Sequence, residues 1–280
     1  MRLMITNDDG IDARGLHVLV EAMTRLDGDH EIVVIAPDDE WSGASASIGA
    51  LFKTDPKIRR WNVPGADVEA WMVHGPPGLC ALFARLGAFG DSFDLIVSGI
   101  NPGANVGRSV YHSGTIGAAL TGRNGGIPGI AFSQAIKDFS AWGQTWDEVV
   151  EKLDFRAAAE VARTLVQALV DDLPDEAFVL NVNVPESTLD GLKGWKQTEV
   201  GVAPPRRLQK ASLAPVEGDE GAFHVEMDWG EALHLDPSTD AGAIDDGYVS
   251  ITNLSRLTHV PRADLDPLVG ALDGLLHREA

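Results

Sequence analysis

What most constrains the fold of this chain is an alternation of two patterns. Short apolar, strand-like runs occur at Leu3–Thr6, Glu31–Ala36, Ala70–Val73, Asp94–Ser98, Gly129–Ser133 and Phe178–Val184. Amphipathic stretches lie between them, at Ala13–Leu26 and Gly75–Phe89. Val150, Leu153, Ala157, Val161 and Leu165 recur at spacings of three or four, which predicts one long helix over Trp146–Val170. Strands that alternate with helices pair in parallel and need cover on both faces. The pattern therefore predicts an α/β fold with an open, mostly parallel sheet.

After Pro185 the texture changes. Proline, glycine and acidic residues interrupt strand-like runs at Ala222–Trp229 and Tyr248–Thr252, and an amphipathic helix is predicted over Ala263–His277. The division expected is an α/β catalytic domain at 1–185 and an extension at 186–280, built of strand arms and a terminal helix that mediates oligomer contacts.

Composition narrows the possible partners. The net charge of −20 repels polyanions, so long nucleic acid is not an expected ligand. The only cysteine, Cys80, sits among apolar residues and excludes an internal disulfide or a cysteine-based zinc cluster. No run reaches the 18 to 20 or so apolar residues that span a bilayer, and the first residues do not read as a secretory signal. A cytoplasmic location without membrane contact is expected.

Open parallel sheets bind ligands beyond the carboxyl ends of their strands. Asn7, Asp8, Asp9 and Gly10 follow the first run, and Asp38, Asp39, Glu40 and Ser42 the second. Asn101 and Asn105 follow Asp94–Ser98, and Ser113, Gly114 and Thr115 open a small-residue helix. These are oxygen donors and tight turns, which suit a hard divalent cation with open coordination positions. The start of the small-residue helix offers free N–H groups and a positive dipole end, a seat for an anion such as phosphate. Taken singly, each piece has a plainer reading. Asp8 and Asp9 can form an Asx turn, and Ser113 can be an ordinary helix cap. There is no P-loop, no G-x-G-x-x-G after the first strand, and no G-x-S-x-G elbow.

ITNDDGIDARGL, APDDEWSGAS, VSGINPGANVG, YHSGTIGAA, LNVNVP and TDAGAIDDGYVSIT, in that order, resemble the motifs of the SurE family of stationary-phase survival proteins. The resemblance implies a three-layer α/β/α sandwich with a Rossmann-like sheet and a C-terminal extension exchanged between subunits of a homodimer or homotetramer. It implies a 5'/3'-nucleotidase that hydrolyses nucleoside monophosphates with one divalent cation, Mg²⁺ or Mn²⁺, with Ca²⁺ as a further candidate. By motif, the metal ligands would be Asp8, Asp9, Ser42 and Asn101. Asn105, Ser113, Gly114 and Thr115 would surround the phosphate, and Asp8 and Asp9 would be catalytic, as nucleophile or general base. The chain departs from the family pattern at Asp39, Trp41, Arg108, Ser109 and Asn253. Arg108 is expected to pair with Asp39 across the mouth of the site, and Trp41 and His112 are candidate lid and proton donor. Two other functions compete: a nucleoside N-ribohydrolase-like hydrolase, and a non-catalytic metal- and nucleotide-binding paralogue.

Overall fold

The computed structural model describes residues 1–49, 51, 55–137, 145–202, 208–230, 235–257, 271 and 275. Its first part runs β1 (Arg2–Thr6), α1 (Arg14–Met23), β2 (Glu31–Pro37), β3 (Ile58–Trp61), β4 (Glu69–Val73), α2 (Pro77–Arg85), β5 (Leu95–Pro102), α3 (Gly114–Arg123) and β6 (Gly129–Gln134). It continues with α4 (Trp146–Lys152), α5 (Arg156–Asp171), β7 (Val179–Val184), β8 (Trp195–Gln197), β9 (Leu208–Pro215), β10 (Phe223–Trp229), α6 (Asp240–Asp245) and β11 (Val249–Asn253). The predicted terminal helix at Ala263–His277 falls outside the described residues, apart from positions 271 and 275.

Among the described residues nine strands form the main sheet, in the order β3-β4-β2-β1-β5-β6-β7-β11-β8. From β4 to β7 every pairing is parallel, whereas β3 runs antiparallel to β4 and β11 antiparallel to β7. Alternate residues serve opposite layers, as the strand period requires. Leu3 and Ile5 of β1, Val34 and Ala36 of β2, and Leu95 and Val97 of β5 pack with Leu16, Leu19 and Val20 of α1 and Ala162 and Val166 of α5. Met4, Val33, Ile35 and Ile96 point the other way, against Leu79, Cys80 and Ala84 of α2 and Ala118 of α3. Each such large side chain, fully enclosed, contributes roughly 1.5–3 kcal/mol. The result is the expected three-layer sandwich.

The helix predicted over 146–170 is two helices. Leu153 takes extended backbone, and Asp154 Oδ1 accepts the Arg156 N–H at 3.1 Å, a local bond that competes with helix continuation. The apolar spacing runs on across the break, so periodicity alone does not reveal it.

Two features of the fold frame the candidate site. Connections from β1 lead outward to β2 and β4 on one side and to β5, β6 and β7 on the other, so the β1/β5 boundary is the switch point where such sheets open a crevice. In β5 the register with β6 shifts between Ser98 and Asn101, an irregularity of the kind that re-aims side chains next to functional sites.

Residues beyond 185 also contribute β11 and β8 to the main sheet. β9 and β10 form a separate two-stranded ribbon. Its register carries Leu213, Phe223, Val225 and Met227 on one face, all more than half exposed.

Candidate active site

β1 delivers a buried strand end into a tight turn. Asn7 is fully enclosed and its Nδ2 donates to the Gly10 carbonyl at 2.8 Å, while Gly10 takes φ +101°, which favours glycine. Ile11 N–H donates to the Pro37 carbonyl, so the turn is also tied to the end of β2. Held this way, Asp8 and Asp9 project at the switch point.

Asp8 is buried at the start of α3. Its Oδ1 accepts the Thr115 hydroxyl at 2.5 Å, and the backbone N–H groups of Gly114 and Thr115 lie near enough to favour its charged form. A Cβ on Gly114 would lie 2.8 Å from both Asp8 Cβ and Oδ2, so glycine is what lets the helix end and the carboxylate meet. Burial raises the Asp8 pKa above the ordinary carboxylate value, and the Thr115 and Gly114 donors oppose that rise. Asp8 therefore lies beside the expected anion seat at the start of α3, with the Thr115 hydroxyl committed to it.

Asp9 is arranged differently. The residue is only half-buried, but its Oδ2 is enclosed and has no hydrogen-bond partner among the described residues. Burial, then the neighbouring Asp8 and Glu40 carboxylates, push its pKa well above the ordinary value. A fully enclosed carboxylate oxygen facing two like charges is costly unless a proton or a cation meets it. Among the described residues no group of three His, Cys, Asp or Glu side chains comes together to hold a metal. A cation here would have to be completed by neutral oxygens, and the surrounding residues supply them.

Asn101 is buried and commits its amide N–H groups to the Pro102 and Gly103 carbonyls at 3.3 and 2.7 Å, which leaves Oδ1 for a ligand. Trp41 N–H donates to the Asp8 carbonyl at 2.7 Å and so closes the loop after β2 over the acidic turn, with exposed Ser42 next in the chain. That loop lies flat on two helices. A Cβ on Gly78 of α2 would come within 2.5 Å of the Ser47 carbonyl, and one on Gly117 of α3 would collide with the Ser45 carbonyl.

Ser113 is the N-cap of α3: its Oγ accepts the Ile116 N–H at 3.1 Å and keeps its own proton to donate. Asn105 is clamped from β7. Its N–H donates to Asn183 Oδ1 at 2.8 Å, and its carbonyl accepts from Asn181 and Asn183 Nδ2 at 2.8 and 3.2 Å. Its own Nδ2 reaches Ser133 Oγ at 3.0 Å.

Other expectations fare differently. No ion pair joins Arg108 and Asp39 among the described residues; Asp39 Oδ1 instead accepts the Glu40 N–H at 2.8 Å, a local turn bond that a side chain one residue away makes more readily than a distant arginine. His112 is exposed and serves through its backbone, its carbonyl accepting the Ser45 N–H at 3.0 Å.

Sequence reasoning passed over several residues. Asn181 and Asn183 alternate with valines in LNVNVP, and two buried amides on one face of a strand were the available signal. Asp240 is fully buried and accepts the Gly107 and Gly201 N–H groups, both at 2.9 Å, which fastens the C-terminal part to the loop beside Asn105. On the rim, His74 Nδ1 and Asp38 Oδ2 meet at 2.5 Å, linking the ends of β4 and β2.

Comparison with known proteins identifies the family. The profile of the family described as Survival protein SurE matches residues 3–206. This chain belongs to the SurE family. A SurE relative from Chloroflexus aggregans, named 5'-nucleotidase SurE, is 34% identical over 255 residues, 90% of this chain and 92% of its own length. One from Erwinia tasmaniensis, named 5'/3'-nucleotidase SurE, is 33% identical over 254 residues, 91% of this chain and 90% of its own. The crystal structure of the SurE protein from Aquifex aeolicus superposes with a TM-score of 0.72 at 29% identity, covering 98% of this chain and all of the other.

Proposed function

We propose that this chain is a nucleotidase that hydrolyses nucleoside monophosphates to nucleoside and inorganic phosphate, with one divalent cation, Mg²⁺ or Mn²⁺, at the acidic turn. The observation that carries the reading is the enclosed, unpartnered Asp9 Oδ2 beside Asp8 at the β1/β5 switch point. Asp8, Asp9, Ser42 and Asn101 would hold the cation, two charged and two neutral oxygen donors, as hard cations prefer. When bound, such a cation supplies Lewis-acid polarisation of a phosphoryl oxygen and acidifies a coordinated water.

The protein groups divide the remaining work. Thr115 orients Asp8 through one hydrogen bond to Oδ1 and leaves its other lone pairs for the cation. Asp9 keeps an uncommitted oxygen, with its lone pairs open to the cation or to a proton. Ser113 offers its hydroxyl proton, and Asn105, fixed by three hydrogen bonds to β7, bounds the phosphate with Gly114 and Thr115.

The half-exposed apolar face of the β9–β10 ribbon supports a homo-oligomer, because an isolated two-stranded ribbon is marginal in water and a second copy would cover it. Among the described residues no helix is long and apolar enough to cross a membrane, and a cytoplasmic site of action is part of the proposal.

The deciding experiment is a phosphate-release screen over 5'- and 3'-nucleoside monophosphates and simple phosphomonoesters, with Mg²⁺ or Mn²⁺ and with EDTA. Phosphate release that EDTA abolishes is expected. Release of free base would instead indicate a ribohydrolase, and nucleotide binding without turnover a non-catalytic paralogue.

A further inference from the structure

The acidic turn does not stand alone in its crevice. Beside Asp9 and Glu40 a cavity of about 260 Å³ runs between the start of α1, the turn after β5 and α4. Pro102, Val150 and Phe155 give it an apolar lining, and Trp146 and Asp147 stand at its α4 side. Trp146 is 36% exposed, and its Cη2 lies over the Gly103 backbone, 3.9 Å from where a Cβ would be. Gly103 is the residue whose carbonyl Asn101 grips, so the indole rests on the same turn as a candidate metal ligand.

Core packing does not explain why α4 is there, since none of its side chains is buried. It is nonetheless held firmly. Thr145 and Glu148 form a reciprocal capping box, and Arg14 donates to the Glu151 carbonyl at 2.5 Å, fixing the far end of α4 to α1. A helix with no core contribution that props an aromatic ring beside a reaction centre has the form of a recognition element.

We propose that this cavity is the nucleoside subsite, with the base stacked on Trp146 and the sugar hydroxyls donating to the Glu40 and Asp147 carboxylates. The proposal rests on the nucleotidase reading and deepens it. An indole face suits any base. Carboxylates only accept, which matches the hydroxyl donors of a sugar; Arg14, which also lines the cavity, is held by the Glu151 carbonyl. The volume of about 260 Å³ falls just below the range of drug-sized ligand sites, which limits the occupant to about a nucleoside.

The test compares wild type, W146F and W146A on AMP and on ribose 5-phosphate, which has the sugar and phosphate but no base. Base stacking of ordinary strength predicts that W146A raises KM for AMP on the order of ten- to a hundred-fold, with little change in kcat. KM for ribose 5-phosphate should move far less, and W146F should restore most of the AMP affinity. A second readout needs no turnover: adenosine should quench tryptophan fluorescence in wild type and lose most of that effect in W146F. Should W146A fold poorly by circular dichroism, W146L keeps apolar bulk without a ring and carries the same comparison. Equal losses on both substrates, or no loss on AMP, would overturn the proposal. If wild type releases phosphate from no nucleotide, the activity reading fails, and the adenosine titration still decides the cavity: quenching supports it, and none refutes it.

Discussion

Replacing Asp9 with asparagine should make the metal-free protein more stable while abolishing its activity. In the native chain the Asp9 carboxylate faces Asp8 and Glu40, and one of its oxygens is enclosed without a partner. Two carboxylates a few ångström apart repel by about 3 kcal/mol at an effective dielectric of about 20. The residue is half-exposed, and solvent screening reduces the expected gain from Asp9→Asn to about 2 kcal/mol. For a chain of this length that is about 4–8 °C in Tm. The pH dependence has a definite sign. The folded-state pKa of Asp9 lies above its unfolded value, so the folded state holds the extra proton, and its contribution to stability is present below the unfolded pKa and lost as pH rises through the folded one. The advantage of Asp9→Asn should accordingly be largest at pH 8 in EDTA and vanish in acid. A cation at a hundred times its Kd should raise wild type by about 2.7 kcal/mol and leave the variant nearly unmoved. Thermal unfolding of both proteins at pH 4 and pH 8, in EDTA and in excess Mn²⁺, gives all these values. An Asp9→Asn protein that melts below wild type at pH 8 in EDTA, or one that Mn²⁺ stabilises as strongly as wild type, would refute the reasoning.

Other substitutions probe how the site is built. Gly114→Ala places a methyl 2.8 Å from Asp8 and 3.1 Å from Pro77, so it should cost about 1–3 kcal/mol and lower kcat by more than tenfold, although alanine is a good helix former. Asn183→Ala leaves the Asn105 N–H without its acceptor, and a loss of about 1–3 kcal/mol in urea unfolding is expected, with weaker phosphate inhibition. Burial pushes the Cys80 thiol pKa up, so an aromatic disulfide reagent should label it only after denaturant is added, with a rate that tracks unfolding.

The sequence exposed those parts of the molecule whose reasons are local. Short continuous apolar, β-branched runs bounded by turn residues, such as Leu3–Thr6 and Glu31–Ala36, read as central strands, and the turn after the first is crowded with charge. β3 went unnoticed because all four of its residues are exposed on the sheet edge and carry no apolar alternation. α6 also went unnoticed, being only six residues long; its one local signal is the Thr239 cap, whose Oγ accepts the Gly242 N–H at 3.2 Å. The Asn105 clamp joins residues more than seventy positions apart, and Asp240 reaches the Gly107 N–H across 133. Such contacts are properties of the assembled sheet, and no pattern within either segment encodes them.

The seating of the loop after β2 bears on how such a protein can lose its function. The loop that closes over Asp8 is positioned by missing atoms: Gly78 and Gly117 leave two notches into which the carbonyls of Ser47 and Ser45 fit. Every missense change at a glycine codon adds at least a Cβ, so each of these positions is a single mutation from lifting the loop off its bed. A gene could then drift to inactivity with every acidic and amide side chain of the site unchanged. Judging catalytic competence from Asp8 and Asp9 alone would pass such a sequence as active, whereas reading two glycines on the opposite side of the loop would not.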